Sequence, residues 1–321
     1  MPPRKLRFAL AVLLPGLLVS APPAPAAEDH RLQPADLHYQ GAFRLPGPSG
    51  GSSWEWSGDA MAYRADGDPD GPEDGYPGSL FGMGHDHQAL ISEINIPAPV
   101  VPKGKDLSGL KTARTLQPFA DIRGGHFRDY EMVRCGLAYL PGQDEKTTGR
   151  LHFGWGQHMQ EENFEPTHGW CQPDLSNPKP AGPWRIGKIQ AYSSNDYLLP
   201  IPPDWAAKNT PGMPLATGRF RDGGQGGLGP SLVAYQPAAG RDQPKAGAAL
   251  KAKPLLLYST VYEEPDQQHK MQGYHHSDLW TCAPCLTSAT SKRSAVVIVG
   301  TKGQGKCWYG LAHPALTPPE Q

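Results

Sequence analysis

The chain has 321 residues, with 30 basic and 31 acidic side chains and a net charge of −1 when histidine is neutral. That balance excludes nucleic acid, or an anionic membrane surface, as a partner recruited by charge. Its 38 glycines and 36 prolines approach the range of disordered chains, but 8 Trp, 12 Tyr and 8 Phe spread along the sequence require a folded, turn-rich protein.

The first residues read as a secretory signal. Arg4, Lys5 and Arg7 form a basic start, Phe8 to Val19 a short apolar core, and Ala24-Pro25-Ala26 a small-residue cleavage site. Residues 1–26 are therefore expected to be removed, leaving 27–321 as a single periplasmic or extracellular domain. No later apolar run is long enough for a membrane span.

Strand candidates then recur at Leu37–Leu45, Ala60–Tyr63, Ser79–Met83, Ala89–Ile96, Gly136–Leu140 and Arg150–Trp155. Others follow at Trp184–Tyr192, Leu215–Phe220, Ser231–Tyr235, Pro254–Val261, Ala295–Thr301 and Cys307–Ala312. Helical periodicity is confined to Leu107–Thr115 and Pro203–Lys208, and Arg241–Lys253 reads as an exposed polar loop. Without crossover helices a parallel doubly wound sheet is excluded. The expected fold is all-β and β-propeller-like, with roughly six blades of about 40–50 residues; two β-sandwiches are the alternative. Phe81-Gly82-x-Gly84 and Phe153-Gly154-x-Gly156 hint at a repeat, but their spacing of 72 residues exceeds one such blade.

Several strand ends carry candidate chemistry. Asp66-Gly67-Asp68-Pro69-Asp70-Gly71 matches the first half of a calcium loop, so Asp66, Asp68 and Asp70 are the expected calcium ligands. Pro77 stands where a helix-loop-helix calcium site needs Glu, which excludes that form. His85-x-His87 would place two imidazoles on one face if the strand continues, as transition-metal ligation or proton transfer requires. His275 and His276, in a second glycine-flanked loop, are the matching candidates. Arg219 and Arg221 share a face beside Asp222 and a glycine run, a pattern suited to an acidic substrate group or to a structural Arg–Asp network. Trp54, Trp56, Trp155, Trp170 and Trp205 are candidates for stacking a sugar or for filling a core. Five cysteines leave one unpaired, and Cys282-Ala283-Pro284-Cys285 is read as a structural disulfide because no βαβ pattern surrounds it.

Three segments carry a resemblance. Ala216-Thr217-Gly218-Arg219-Phe220-Arg221-Asp222-Gly223-Gly224, Ser79–His87, and Gly300-Thr301-Lys302-Gly303 with Cys307-Trp308-Tyr309-Gly310 resemble a group of exported bacterial proteins of unknown function. The resemblance covers most of the chain beyond the signal and implies a propeller-like all-β fold with no assigned activity. That group continues past the Cys-Trp-Tyr-Gly stretch, so the last blade is expected to be incomplete here. Two functions fit these residues. One is a hydrolase or lyase acting on an anionic or carbohydrate substrate. In it His85, His87, His275 and His276 act as acid–base or metal groups, while Arg219, Arg221 and Asp222 hold substrate. The other is a calcium-stabilised propeller that binds a glycan or protein without chemistry.

Overall fold

A computed structural model describes residues 37–57, 60–68, 70–71, 75–104, 106–130, 133–142, 148–157, 164–219, 231–238, 243–257, 279–288 and 294–301. The expected signal segment, Arg221, Asp222, His275, His276 and Cys307 lie outside these residues. Every strand and helix named below belongs to one compact unit, Tyr39–Gln321.

The all-β expectation holds. Four antiparallel strands form the first sheet in sequence order: β1 (Met61–Arg64), β2 (Gly75–Met83), β3 (Ile91–Pro97) and β4 (Thr115–Ala120). The second repeats this arrangement with β5 (Val133–Leu140), β6 (Arg150–Gln157), β7 (His168–Cys171) and β8 (Ala181–Ile186). A third is built from β9 (Leu198–Pro200), β10 (Leu215–Thr217), β11 (Leu232–Tyr235) and β13 (Ala252–Leu256); β12 (Ala249–Leu250) instead adds to β8 in parallel. Two short pairs complete the set, β14 (Leu279–Cys282) with β17 (Val299–Thr301) and β15 (Cys285–Thr287) with β16 (Ser294–Val296). Helix α1 (Pro203–Asn209) falls where sequence places it, started by a proline in its first turn.

The two-residue period of the strands explains how the sheets stack. In the second sheet Leu137, Tyr139, Leu151, Phe153 and Trp155 pack with Phe81, Met83 and Ile91 of the first. The alternate residues Ala138, Trp170 and Trp184 pack with Leu215, Val233 and Tyr235 of the third. A further cluster joins Leu199, Ala216 and Ala234 of the third sheet to Ala283 and Cys285 of the short pairs. Sheets buried on both faces need apolar residues at consecutive positions, as the wholly buried run Leu151–Gly156 provides.

The phenylalanine–glycine repeat now has a physical meaning. Phe81 and Phe153 are fully buried, each on the second strand of its sheet. Their glycines point to the other face, where at Gly82, Gly84 and Gly156 neighbours come too close for a side chain. A Cβ on Gly82 would lie 2.8 Å from the Trp54 ring, and one on Gly84 2.5 Å from Phe119. A Cβ on Gly156 would lie 2.2 Å from the Asn195 amide. The spacing of 72 residues is thus the step from one sheet to the next, longer than the blade length expected from sequence.

Three local expectations are corrected. Residues 37–45 form no strand; Ala42 and Arg44 make only isolated bridges to Val100 and Thr112, and Gly41 turns at φ +122 against the Val100 backbone. Leu107–Thr115 is not helical, and Thr115 opens β4. Within Arg241–Lys253, residues 243–246 are exposed as expected, but the segment is more than a loop: Trp184 Nε1 donates to Pro244 O at 3.0 Å, Arg185 Nε to Gly247 O at 3.0 Å, and β12 pairs with β8.

Candidate ligand cavity

A cavity of about 780 Å³ opens where β1, β5 and β9, the first strands of the three sheets, meet the Cys282–Leu286 connection. Register explains the polar corner among its described lining residues. Ala62 pairs with Phe81 and Leu137 with Phe153, so Arg64 and Tyr139, each two residues further on, occupy equivalent positions in neighbouring sheets. They stack accordingly, with the guanidinium carbon 5.6 Å from the Tyr139 ring centre.

Arg64 Nε donates to Asp66 Oδ1 at 3.3 Å, and its Nη1 donates to Glu93 Oε1 at 3.3 Å. The Tyr139 hydroxyl donates to Asp66 Oδ2 at 3.0 Å. Gly149 makes room for that hydroxyl, since a Cβ there would lie 2.0 Å from it. Glu93 is 3 % exposed and also accepts from the Ser79 hydroxyl and the Gln117 amide. Gln117 continues to the second sheet, donating to Pro173 O and accepting from Leu175 N, both at 2.8 Å. The corner is therefore held from behind by a buried carboxylate whose partners lie on β1, β2 and β4, one of which, Gln117, ties it to the β7–β8 connection.

Burial works against the charge on Arg64, but Glu93, Tyr139 and Asp66 together hold its pKa above the ordinary value. Burial first, then the Asp66 hydrogen bond and charge, push the Tyr139 hydroxyl up to about 12. That tyrosine is a hydrogen-bond donor at neutral pH and a poor base. Among the described lining residues Arg64 is the only cation, and two carboxylates face it. The remaining wall is largely Tyr, Leu, Pro, Ala and Met, broken by Thr148 and the two cysteines.

The expected site residues are dispersed. Asp66 belongs to the cavity corner. Asp68 is buried, turns through φ +45 and accepts from Arg114 Nη2 at 3.3 Å; Asp70 is 3.7 Å from the same nitrogen. The three acids expected around one calcium are thus shared between two arginines. Among the described residues no group of three or more His, Cys, Asp or Glu is arranged to hold a metal ion. β2 ends at Met83, so His85 and His87 sit in a turn rather than on a continuing strand. Their rings meet edge to face at 5.1 Å, and His85 Nδ1 accepts from the His87 backbone at 3.2 Å. His85 lines a separate shallow groove of about 430 Å³ with Ser49, Ser52 and Gln88. Arg219 is 2 % exposed, just beyond β10. None of these three residues lines the larger cavity.

Cys282 and Cys285, expected as a disulfide, are free thiols in the cavity wall; Cys135 and Cys171 are buried in the core. Of the tryptophans, Trp155 and Trp170 fill cores, whereas Trp56 is 80 % exposed with φ +53. Sequence reasoning missed Arg64 and Tyr139. The signal that could have found them was the phenylalanine–glycine repeat, which aligns the first strands of two sheets. Comparison of the chain with protein-family models, with curated proteins and with solved structures gives no match.

Proposed function

We propose that the protein is an exported, propeller-like binding protein that takes a small hydroxylated ligand, a glycan fragment, into the cavity between β1, β5 and β9. The observation that carries this reading is the Arg64–Asp66–Tyr139 corner on a wall whose described residues are otherwise largely apolar and include tyrosines. Sugar hydroxyls both donate and accept, so they match a carboxylate beside a guanidinium and a phenol, while ring C–H faces suit the tyrosines and aliphatic wall. An anionic ligand has less to gain, because the charge of Arg64 already faces Glu93 and Asp66. Three consecutive sheets, each with four antiparallel strands in sequence order and its first strand on the cavity, support the propeller-like reading. Their long spacing favours fewer blades than six.

The hydrolase or lyase reading has weaker support. His85 opens on a different groove, His87 lines neither that groove nor the larger cavity, and His275, His276, Arg221 and Asp222 lie outside the described residues. Calcium at Asp66, Asp68 and Asp70 would have to replace Arg114 between Asp68 and Asp70. It is tested by melting with calcium and with chelator, and equal values reject it.

The binding reading is tested by saturation-transfer NMR against soluble neutral oligosaccharides, amino sugars and uronic acids. Transfer to neutral sugars that vanishes in Asp66→Asn supports it. Transfer to uronic acids alone, or none to any sugar, rejects it.

A further inference from the structure

We propose that Cys282, Cys285 and Met61 form a soft-metal site on the cavity wall that takes a monovalent thiophilic cation, Cu(I). β14 ends on Cys282 and β15 begins on Cys285, so the Ala283-Pro284 link between them is held by strand pairing on both sides. Cys282 pairs with Val299, Cys285 with Val296, and Val297 N donates to Pro284 O at 2.9 Å. Ala283 is buried at 3 % among Tyr197, Leu199 and Met213, which anchors the link in the core. Both thiols are free and both line the cavity. Met61, 55 % exposed at the start of β1, lines the same cavity from a different sheet.

Two thiolates and a thioether are soft donors, and such donors select Cu(I) over the hard cations that carboxylates prefer. A dithiol with a two-residue spacer can chelate one ion, and two thiolates satisfy the low coordination number of a d¹⁰ monovalent cation. Uptake balances as two thiols plus one Cu(I) giving one bis-thiolate complex and two released protons, with no change of oxidation state. The competing fate of the pair is oxidation to a disulfide, which releases two protons and two electrons to an external oxidant.

The test uses the exported chain, reduced and kept anaerobic, in a Cys307→Ser background. Cu(I) is partitioned against a chromophoric Cu(I) chelator. One equivalent should move to the protein, and Cys282→Ser or Cys285→Ser should each weaken binding by about 100-fold. Met61→Leu should weaken it by about tenfold, and Cys135→Ser should change nothing. In the unsubstituted chain, one equivalent of Ag(I) should shield Cys282 and Cys285 from iodoacetamide, read by peptide mass, so the result does not depend on a variant folding. No withdrawal of Cu(I), full binding by the double serine variant, or unshielded alkylation of both thiols overturns the proposal. Glycan binding is read separately at Asp66, so either proposal can fail alone.

Discussion

Acidification should unfold this protein through two histidines that never carry charge in the folded state. His152 and His168 lie on the face of the second sheet turned to the third. The Thr217 hydroxyl donates to Ser194 O at 2.8 Å, so toward His168 Nε2, at 3.1 Å, it can only accept. That fixes the proton on Nε2 and leaves Nδ1 to accept from the Thr167 hydroxyl at 2.9 Å. Burial lowers His168 to about 3, with His152 adding to the effect. Burial, then the nearby Arg150, lowers His152 to about 3. Both folded values lie below the ordinary 6.5, so the unfolded chain takes up protons first. Stability is complete above pH 6.5 and drains as pH falls toward about 3. At about 1.36 kcal/mol per pH unit, moving from pH 7 to pH 5 costs about 2 kcal/mol for each histidine and about 4 for the pair. That is a large share of the roughly 5–15 kcal/mol typical of a folded protein. Urea unfolding at the two pH values measures the loss. His168→Gln, which keeps an N–H donor but cannot titrate, should be about 1–2 kcal/mol less stable at pH 7. It should lose only about 2 kcal/mol between pH 7 and pH 5. Equal acid losses in both proteins, or none in either, would show that these imidazoles are not the cause.

Three further outcomes follow from the packing. Glu93→Gln removes the buried carboxylate behind Arg64 and should cost about 2–4 kcal/mol in chemical denaturation, while Asp70→Asn, at an exposed acid, should cost under about 0.5. Gly136→Ala would put a Cβ 1.7 Å from Asp196 O, a backbone atom, and should cost about 3 kcal/mol or more; Gly109→Ala, with nothing within 4 Å, should be neutral within about 0.5. Tyr139 should ionise near 12 in an alkaline absorbance titration, two units above an ordinary tyrosine, and Tyr139→Phe should remove that step.

Strand character was legible from β-branched residues in Ile91–Pro97 and from the alternation of large apolar side chains in Arg150–Gln157. So was helix α1, from the Pro202-Pro203 start. The repeat was visible in Phe81 and Phe153, but its length could not be judged until the glycines were seen to accept rings and amides from other elements. The cavity corner was not legible, because the partner of Arg64 is set by strand register: Glu93 is 29 positions away and Tyr139 is in another sheet. The same cause divided the Asp66–Asp70 loop. Its spacing suggests one cation, yet Arg64 and Arg114 arrive from strands and loops that the spacing cannot reveal. His85 and His87 read as strand neighbours because the alternation runs on past Met83, whereas the chain turns at Gly84, held by its bond to Leu90 O at 2.8 Å.

The central claim is that the cavity corner holds a hydroxylated ligand. Isothermal titration of the best neutral oligosaccharide from the NMR survey, against the unsubstituted chain, Tyr139→Phe and Asp66→Asn, tests it most directly. About one ligand per chain should bind, with affinity lowered about tenfold by Tyr139→Phe and more by Asp66→Asn, where a charge-assisted bond is lost. Unchanged affinity in both variants, with the fold intact by circular dichroism, would contradict it.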